Sequence, residues 1–309
     1  MRKRTGARSR PRSASAFVLD VFTERDLDDW STRSIVAQRY LDHVYFDLER
    51  QRVEHFEELR DALSAVPAIT VDVTSWIRIT DYRWSLEPLS PAGSLKGIGG
   101  RFNIGVDLDR ARGQHFPALY LADSMDTALR EFFLGSPEDE TASLSLQQLA
   151  LRRLSSFTAF TLRGHIDQVL DLRSTQELAA FAAIVSTFSL SNETRRFARR
   201  TGLRPRLLVK TPAELRWRIL SDFQKWRTQP QMFGIPASSQ IFGRLVRDAG
   251  FEAILYPSQR AAGMNLAVFV ENFRDSSSRI EVVGGAPAGA TFLTLDKDRL
   301  KNQEWSPFL

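Results

Sequence analysis

Four side chains in this sequence sit in surroundings suited to a charged ligand: Arg83, Arg101, Glu131 and Ser258. Arg101 is reached through Gly97, Gly99 and Gly100, residues that let backbone come close to a ligand, and Arg83 lies on a neighbouring segment. Two guanidinium forks so placed would grip a pyrophosphate. Taken singly, an arginine after Gly-Gly reads more plainly as a surface residue or an ion-pair partner. Glu131 falls on a predicted helix over 125–134, off the apolar face made by Met125, Leu129, Phe132 and Phe133. Its helical neighbours Thr127, Ala128, Leu134 and Gly135 include small residues that leave room for a ligand; from this helix alone, a solvated glutamate is the plainer reading. Ser258 follows an apolar run that reads as a buried strand, at a strand exit where ligands commonly sit. It has no GxSxG elbow and no His/Asp partner set, so a polar contact to a ligand suits it better than nucleophilic attack.

The elements that would hold these residues follow from periodicity. Leu41, Val44, Tyr45 and Leu48, then Phe56, Leu59, Leu63 and Val66, predict a helical N-terminal module over 23–66, ended by Pro67. Its apolar stripe would face the rest of the chain or a partner. Strand-like texture begins over 69–73 and continues over 76–86, after which a loop with Pro91 and several glycines leads to Arg101-Phe102-Asn103. A short strand over 118–122 precedes the helix of Glu131, with Asp123 or Ser124 as its cap. A strand over 169–173 comes next, then Ser174 and Glu177 in capping-box spacing ahead of a helix over 178–188. Residues 190–235, with Arg195, Arg196, Arg199, Trp217 and Trp226, read as mostly helical without sharp boundaries. A helix over 239–249 stops at Gly250, and strands over 251–255, 266–270 and 280–283 complete an α+β pattern rather than a regular βαβ winding.

Taken in order, these segments resemble the RES family. Tyr82-Arg83, Gly99-Gly100-Arg101-Phe102-Asn103, Leu119-Tyr120-Leu121-Ala122, Glu131, and Tyr256-Pro257-Ser258 with Gly263 and Asn265 follow the family's order. Val169-Leu170-Asp171-Leu172 is similar to its Leu-Asp-Leu strand, and the arginine, glutamate and serine that name the family match Arg101, Glu131 and Ser258. The resemblance implies an ADP-ribosyltransferase-like split β-sheet core with flanking helices, NAD bound as substrate between two small sheets, and no metal. The activity it implies is that of a toxin which cleaves the nicotinamide–ribose bond of NAD, as a glycohydrolase or phosphorylase. On the matched positions it puts Arg83 and Arg101 on the phosphates, Tyr120 against the nicotinamide or its ribose, and Ser258 with Asn265 on the ligand. Catalysis would rest on Glu131, with Arg101 and Ser258. The implied partner is a helix-turn-helix antitoxin of the Xre type. Two other readings stand beside this one: ADP-ribosyl transfer to a protein or nucleic-acid target, and an inactive RES scaffold that binds nucleic acid or a partner. Phe102 stands where the family usually has tryptophan. The N-terminal module and the stretch from Asp171 to Tyr256 exceed a minimal RES domain.

Composition narrows the setting. The chain has 309 residues, 43% hydrophobic and 26% charged, enough to bury a sizeable core, and no apolar run nears the roughly 18 residues of a membrane span. A soluble protein without membrane contact is expected. Zero cysteines exclude thiol chemistry and disulfides and favour the cytoplasm, while His43, His55, His115 and His165 show no metal-ligand spacing. The net charge of +5 would suit a polyanion, yet Arg2, Lys3, Arg4, Arg8, Arg10 and Arg12 crowd the first twelve residues. That stretch reads as a solvated tail, or as an arm for nucleic acid or a membrane surface; it lacks the amphipathic pattern of an organellar presequence. The expected division is a disordered basic tail over 1–20, a helical module over 21–68, the RES domain over 69–285 and a C-terminal extension over 286–309.

Overall fold

The N-terminal amphipathic stripe is used inward. In the computed structural model, which describes residues 24–133, 156–204, 206–220 and 225–301, α1 (Glu24–Glu54) and α2 (Phe56–Ser64) bury Val44, Tyr45, Leu59 and Leu63. Tyr45, Leu59 and Leu63 join the apolar cluster that also holds Leu170, Phe242 and Ile254, so the helical module shares its core with the body. The basic stretch over 1–20, Leu134, Gly135 and residues 302–309 lie outside the described residues.

Among the described residues eight strands form one sheet: β1 (Ile69–Asp72), β2 (Ile77–Asp81), β3 (Leu119–Ala122), β4 (Phe157–Asp171), β5 (Ala253–Pro257), β6 (Met264–Val268), β7 (Arg279–Gly284) and β8 (Thr294–Leu295), in the order β2-β3-β6-β5-β4-β7-β8 with β1 off this path against β4. The fifteen-residue β4 is its spine. Its first part pairs with β2 (Phe157↔Asp81 to Thr161↔Ile77), its middle with β7, and its last part with β1 and, in parallel, with β5 (Val169↔Ala253). By contrast β2 and β3 share a single pair, Ile77↔Ala122, and part from there. This is the split in the sheet. Alternation along the strands assigns the faces. Leu119, Leu121, Leu255 and Leu266 enter one cluster, while Tyr120, Tyr256 and Ala267 turn to the face covered by helices.

Those helices are α3 (Met125–Phe133), α4 (Ala179–Thr187), α5 (Asn192–Arg200), α6 (Pro212–Leu220), α7 (Lys225–Phe233) and α8 (Ser238–Asp248), whereas the short α9 (Lys297–Leu300) joins the other cluster through Leu300. Among the described residues, no helix is long and apolar enough to cross a membrane.

Four local expectations need correction. The strand expected over 76–86 ends at Asp81, because its partner β4 begins at Phe157, and the chain then makes a tight turn over Tyr82–Trp84. Ser174 does not form a capping box with Glu177; its Oγ accepts from the Gln176 amide at 3.1 Å, and a 3-10 turn over Gln176–Leu178 precedes α4. Met125 is exposed rather than part of the apolar face of α3, which buries Thr127 and Ala128 along with the expected Leu129. Finally, part of the C-terminal extension belongs to the fold: Leu295 on β8 pairs with Ile280 and, like Leu300 on α9, is buried in the second cluster.

Candidate active site

Where β2 and β3 part, Arg78 fills the gap in hydrogen bonding. Its Nη1 donates to the Tyr120 carbonyl at 3.3 Å, and Nε and Nη2 donate to the carbonyls of Pro88 and Ser90 at 2.7 and 3.0 Å. Burial pulls this guanidinium down to about 10, still a cation at neutral pH. Beside it opens a cleft of about 220 Å³, with walls from Ile79 on β2, Tyr120 on β3, Glu131 on α3, Tyr256 on β5 and Asn265 on β6. Trp226 and Arg227 of α7 complete it, together with Arg101 and Arg260.

Three donors converge on the Glu131 carboxylate. Oε1 accepts from Ser258 Oγ at 2.6 Å and from Asn265 Nδ2 at 2.9 Å, and Oε2 lies 3.6 Å from Arg260 Nε. Arg260 also donates Nη1 to the Glu131 carbonyl at 3.1 Å. Burial lowers the Arg260 guanidinium to about 10, and the Glu131 charge opposes that shift. The Ser258 hydroxyl is itself fixed, accepting from the amides of Arg260 and Ala261 at 3.0 and 3.1 Å. Local structure explains how the pieces arrive. Ser124 caps α3 by accepting from the Thr127 amide at 3.2 Å, whereas Asp123 turns away to take the Met264 amide at 2.7 Å, tying the start of α3 to the start of β6. Register does the rest, since Asn265 pairs with Tyr256 on one side and Ala122 on the other.

The glycine-rich loop closes on itself and on Tyr120. Asn103, fully buried, accepts with Oδ1 from the Gly100 amide and the Tyr120 hydroxyl, both at 2.9 Å, and donates Nδ2 to the carbonyls of Ser94 and Phe116 at 2.8 and 3.1 Å. The Tyr120 hydroxyl in turn accepts from the Phe102 amide at 3.0 Å. A Cβ on Gly100 would stand 2.6 and 2.7 Å from two carbons of the Tyr120 ring, so glycine there serves close packing of backbone on the tyrosine. Burial pushes the Tyr120 phenol well above its ordinary value, and Tyr256 moves the same way through burial and the nearby Glu131 charge. Both stay protonated at neutral pH.

Gln240 on α8, also fully buried, holds the loop from behind: Nε2 reaches the carbonyls of Ile98, Gly100 and Asn103 at 2.8, 3.1 and 3.0 Å. Next to it Gly243 lies against Phe102, where a Cβ would meet the carbonyl carbon at 2.8 Å and Cα at 2.9 Å. Backbone cannot yield as a side-chain tip does. Gly243→Ala is therefore expected to lower stability by about 1–3 kcal/mol in urea unfolding, despite the better helix propensity of alanine. A stabilised variant would show that α8 slides freely past the loop.

Of the residues singled out by sequence, Arg101, Tyr120, Glu131 and Asn265 line one cleft, and Ser258 stands behind Glu131. Arg101 is buried, and its Nη1 donates to the carbonyls of Ile219 and Leu220 at 3.2 and 2.6 Å, satisfying the open C-terminal end of α6. Arg83 does not line the cleft. Its side chain is 69% exposed, faces Asp81 at 3.6 Å and rests over the Trp84 ring at 5.3 Å. Phe102 is fully buried and packs edge-on against Tyr256 at 4.9 Å, a core role for its aromatic ring. Sequence reasoning missed Arg78, Asn103, Trp226, Arg227, Gln240 and Arg260 as contributors. Arg260 lies only two residues beyond Ser258. Among the described residues, no group of three or more His, Asp or Glu side chains could hold a metal ion.

Comparison with known proteins places this geometry in a family. No curated protein matches the sequence. Among solved structures the chain is similar to the crystal structure of the M. tuberculosis MbcT–MbcA toxin–antitoxin complex, at 18% identity and a TM-score of 0.43, covering 79% of this chain and 96% of that one. The family model of the RES domain matches residues 75–287, a span that includes every residue lining the cleft. The chain belongs to the RES domain family.

Proposed function

We propose that this protein is a RES-type toxin that cleaves the nicotinamide–ribose bond of NAD. The observation that carries this reading is the charge pattern of the cleft: among the described residues Glu131 is its single carboxylate, and its other charged side chains are the guanidinium groups of Arg101, Arg227 and Arg260. When the bond breaks, nicotinamide leaves as a neutral base and the ribose ring gains oxocarbenium character. A carboxylate held still beside that ring stabilises the cation as it forms. The arginines suit the diphosphate that joins the two halves of the dinucleotide. Tyr120 and Tyr256 supply aromatic walls, with Tyr120 against the nicotinamide or its ribose. Ser258 and Asn265 orient the carboxylate, since both donate to the same oxygen. By the family resemblance, the partner we propose is a helix-turn-helix antitoxin, and the place of action the cytoplasm.

The test is incubation of the purified full chain with NAD, with and without phosphate, and identification of products by mass. Free nicotinamide is the expected result, accompanied by ADP-ribose if water attacks the anomeric carbon and by its phosphate ester if phosphate does. Retention of isotope label on a macromolecule would instead establish ADP-ribosyl transfer. No release of nicotinamide under any of these conditions, once any copurifying inhibitor is removed, would overturn the proposal. A companion result concerns Arg83. Because it lies outside the cleft, Arg83→Ala is expected to change turnover by no more than about twofold, as for an exposed ion-pair residue. A loss beyond tenfold would show that Arg83 reaches the substrate when it binds.

A further inference from the structure

The sequence of α5, Asn-Glu-Thr-Arg-Arg-Phe-Ala-Arg-Arg, places four arginines in nine residues, and the cleft uses none of them. One side of this helix is firmly seated. Ser191 caps it by accepting from the Thr194 amide at 3.1 Å, and Asp47 of α1 holds the Ser191 amide at 2.8 Å. Thr194 and Ala198 are buried, and Phe197 packs beside His43 at 5.3 Å between ring centres. The other side carries Arg195, Arg196, Arg199 and Arg200, all exposed, with Arg204 just beyond the helix end and a single carboxylate, Glu193, at the edge of the arc beside them. None of these five arginines has an ion pair or side-chain hydrogen bond among the described residues. The spacing of one and four residues keeps all four helical arginines within a single exposed arc about 7.5 Å long. Duplex nucleic acid presents roughly four phosphate charges over that length of its axis.

We propose that this face of α5 binds the phosphate backbone of duplex nucleic acid. Every cation in the patch is an arginine, whose planar fork matches phosphate oxygens, and none is a lysine. An anionic membrane is disfavoured because the face has no apolar side chain to enter a bilayer; Phe197 and Ala198 point inward. An acidic protein partner is disfavoured for a related reason, since a protein interface needs an apolar centre within its polar rim. What remains is a contact made by charge and fork geometry alone, and contacts of that kind carry no sequence preference. The helix is held rigid, so the arginines are presented together without an ordering cost to the backbone. This proposal is independent of the reading of the cleft.

The experiment is fluorescence anisotropy with the full chain and a labelled 24-base-pair duplex of random sequence, read from 50 to 200 mM salt. Wild type is expected to bind with a steep salt dependence. The variant carrying Arg195→Gln, Arg196→Gln, Arg199→Gln and Arg200→Gln is expected to bind at least tenfold more weakly at 50 mM salt, with the slope of log affinity against log salt reduced by about 2–4. Glutamine keeps helix propensity, and an unchanged thermal midpoint would show the fold intact. A second variant replaces the six basic residues over 2–12 with glutamine. If that one loses binding while the α5 variant binds as wild type, the N-terminal stretch is the ligand site and the proposal falls. It falls equally if wild type ignores the duplex but binds vesicles containing 30% phosphatidylserine.

Discussion

Glu131→Gln is expected to lower NAD turnover by about 10²–10³-fold while leaving the protein folded. The size follows from removing one preorganised electrostatic contact to a charge that develops only in the transition state, a change worth about 3–4 kcal/mol. Geometry explains why the fold survives. The glutamine Oε1 can still accept from Ser258 and Asn265, which donate to Glu131 Oε1 at 2.6 and 2.9 Å. Only the second oxygen becomes an NH2 group, and it then faces Arg260 Nε, the donor now 3.6 Å from Oε2. A donor facing a donor costs something at that one contact, so a small drop in thermal midpoint is expected alongside the large loss of rate. KM for NAD should change far less than kcat, because the contact acts on the ribose cation and not on the ground-state dinucleotide. Near wild-type turnover by a folded Glu131→Gln protein would remove the carboxylate from the chemistry. A rise in KM with kcat intact would make Glu131 a binding residue only.

Legibility in the sequence tracked how local each determinant is. The strand exits and the helix of Glu131 were readable because strand alternation and capping are short-range. The full length of β4 was not readable. Over 164–168 the run Gly-His-Ile-Asp-Gln breaks the apolar pattern, yet this stretch is strand because β1 and β7 pair along it. Arg78 and Arg83 are five residues apart, and nothing in their types says which one turns inward. The choice is made by the carbonyls of Pro88, Ser90 and Tyr120, which await a donor where β2 leaves β3. Trp226 and Arg227 come from α7, a helix with Pro230 inside it and little periodicity to reveal its lining role. Gln240, and the buried role of Asn103 within its motif, were hidden for a different reason. Both serve backbone carbonyls and amides, and such partners leave no mark on residue spacing.

Asn103 is where that hidden layer carries the most weight, and Asn103→Ala is expected to destabilise the protein by about 3–5 kcal/mol in urea unfolding. The side chain is fully buried, and its loss strips partners from the Gly100 amide, the Tyr120 hydroxyl and the carbonyls of Ser94 and Phe116. Each buried polar group left without a partner costs roughly 1–3 kcal/mol, and water entering the gap recovers only part of the sum. Aspartate should not rescue the site: it keeps one acceptor oxygen but turns the other, as a carboxylate, toward the Ser94 and Phe116 carbonyls, where only a donor fits. Tyr120→Phe gives the calibrating comparison. It removes the hydroxyl that links Asn103 Oδ1 to the Phe102 amide and spares the other three contacts, so about 1–2 kcal/mol is expected. If Tyr120→Phe proved the more damaging change, the tyrosine and not the asparagine would be the post on which the loop is hung. Turnover should fall in the same order. Gly100 and Arg101 are adjacent in sequence, and a loop freed at Gly100 no longer fixes where the Arg101 guanidinium stands in the cleft.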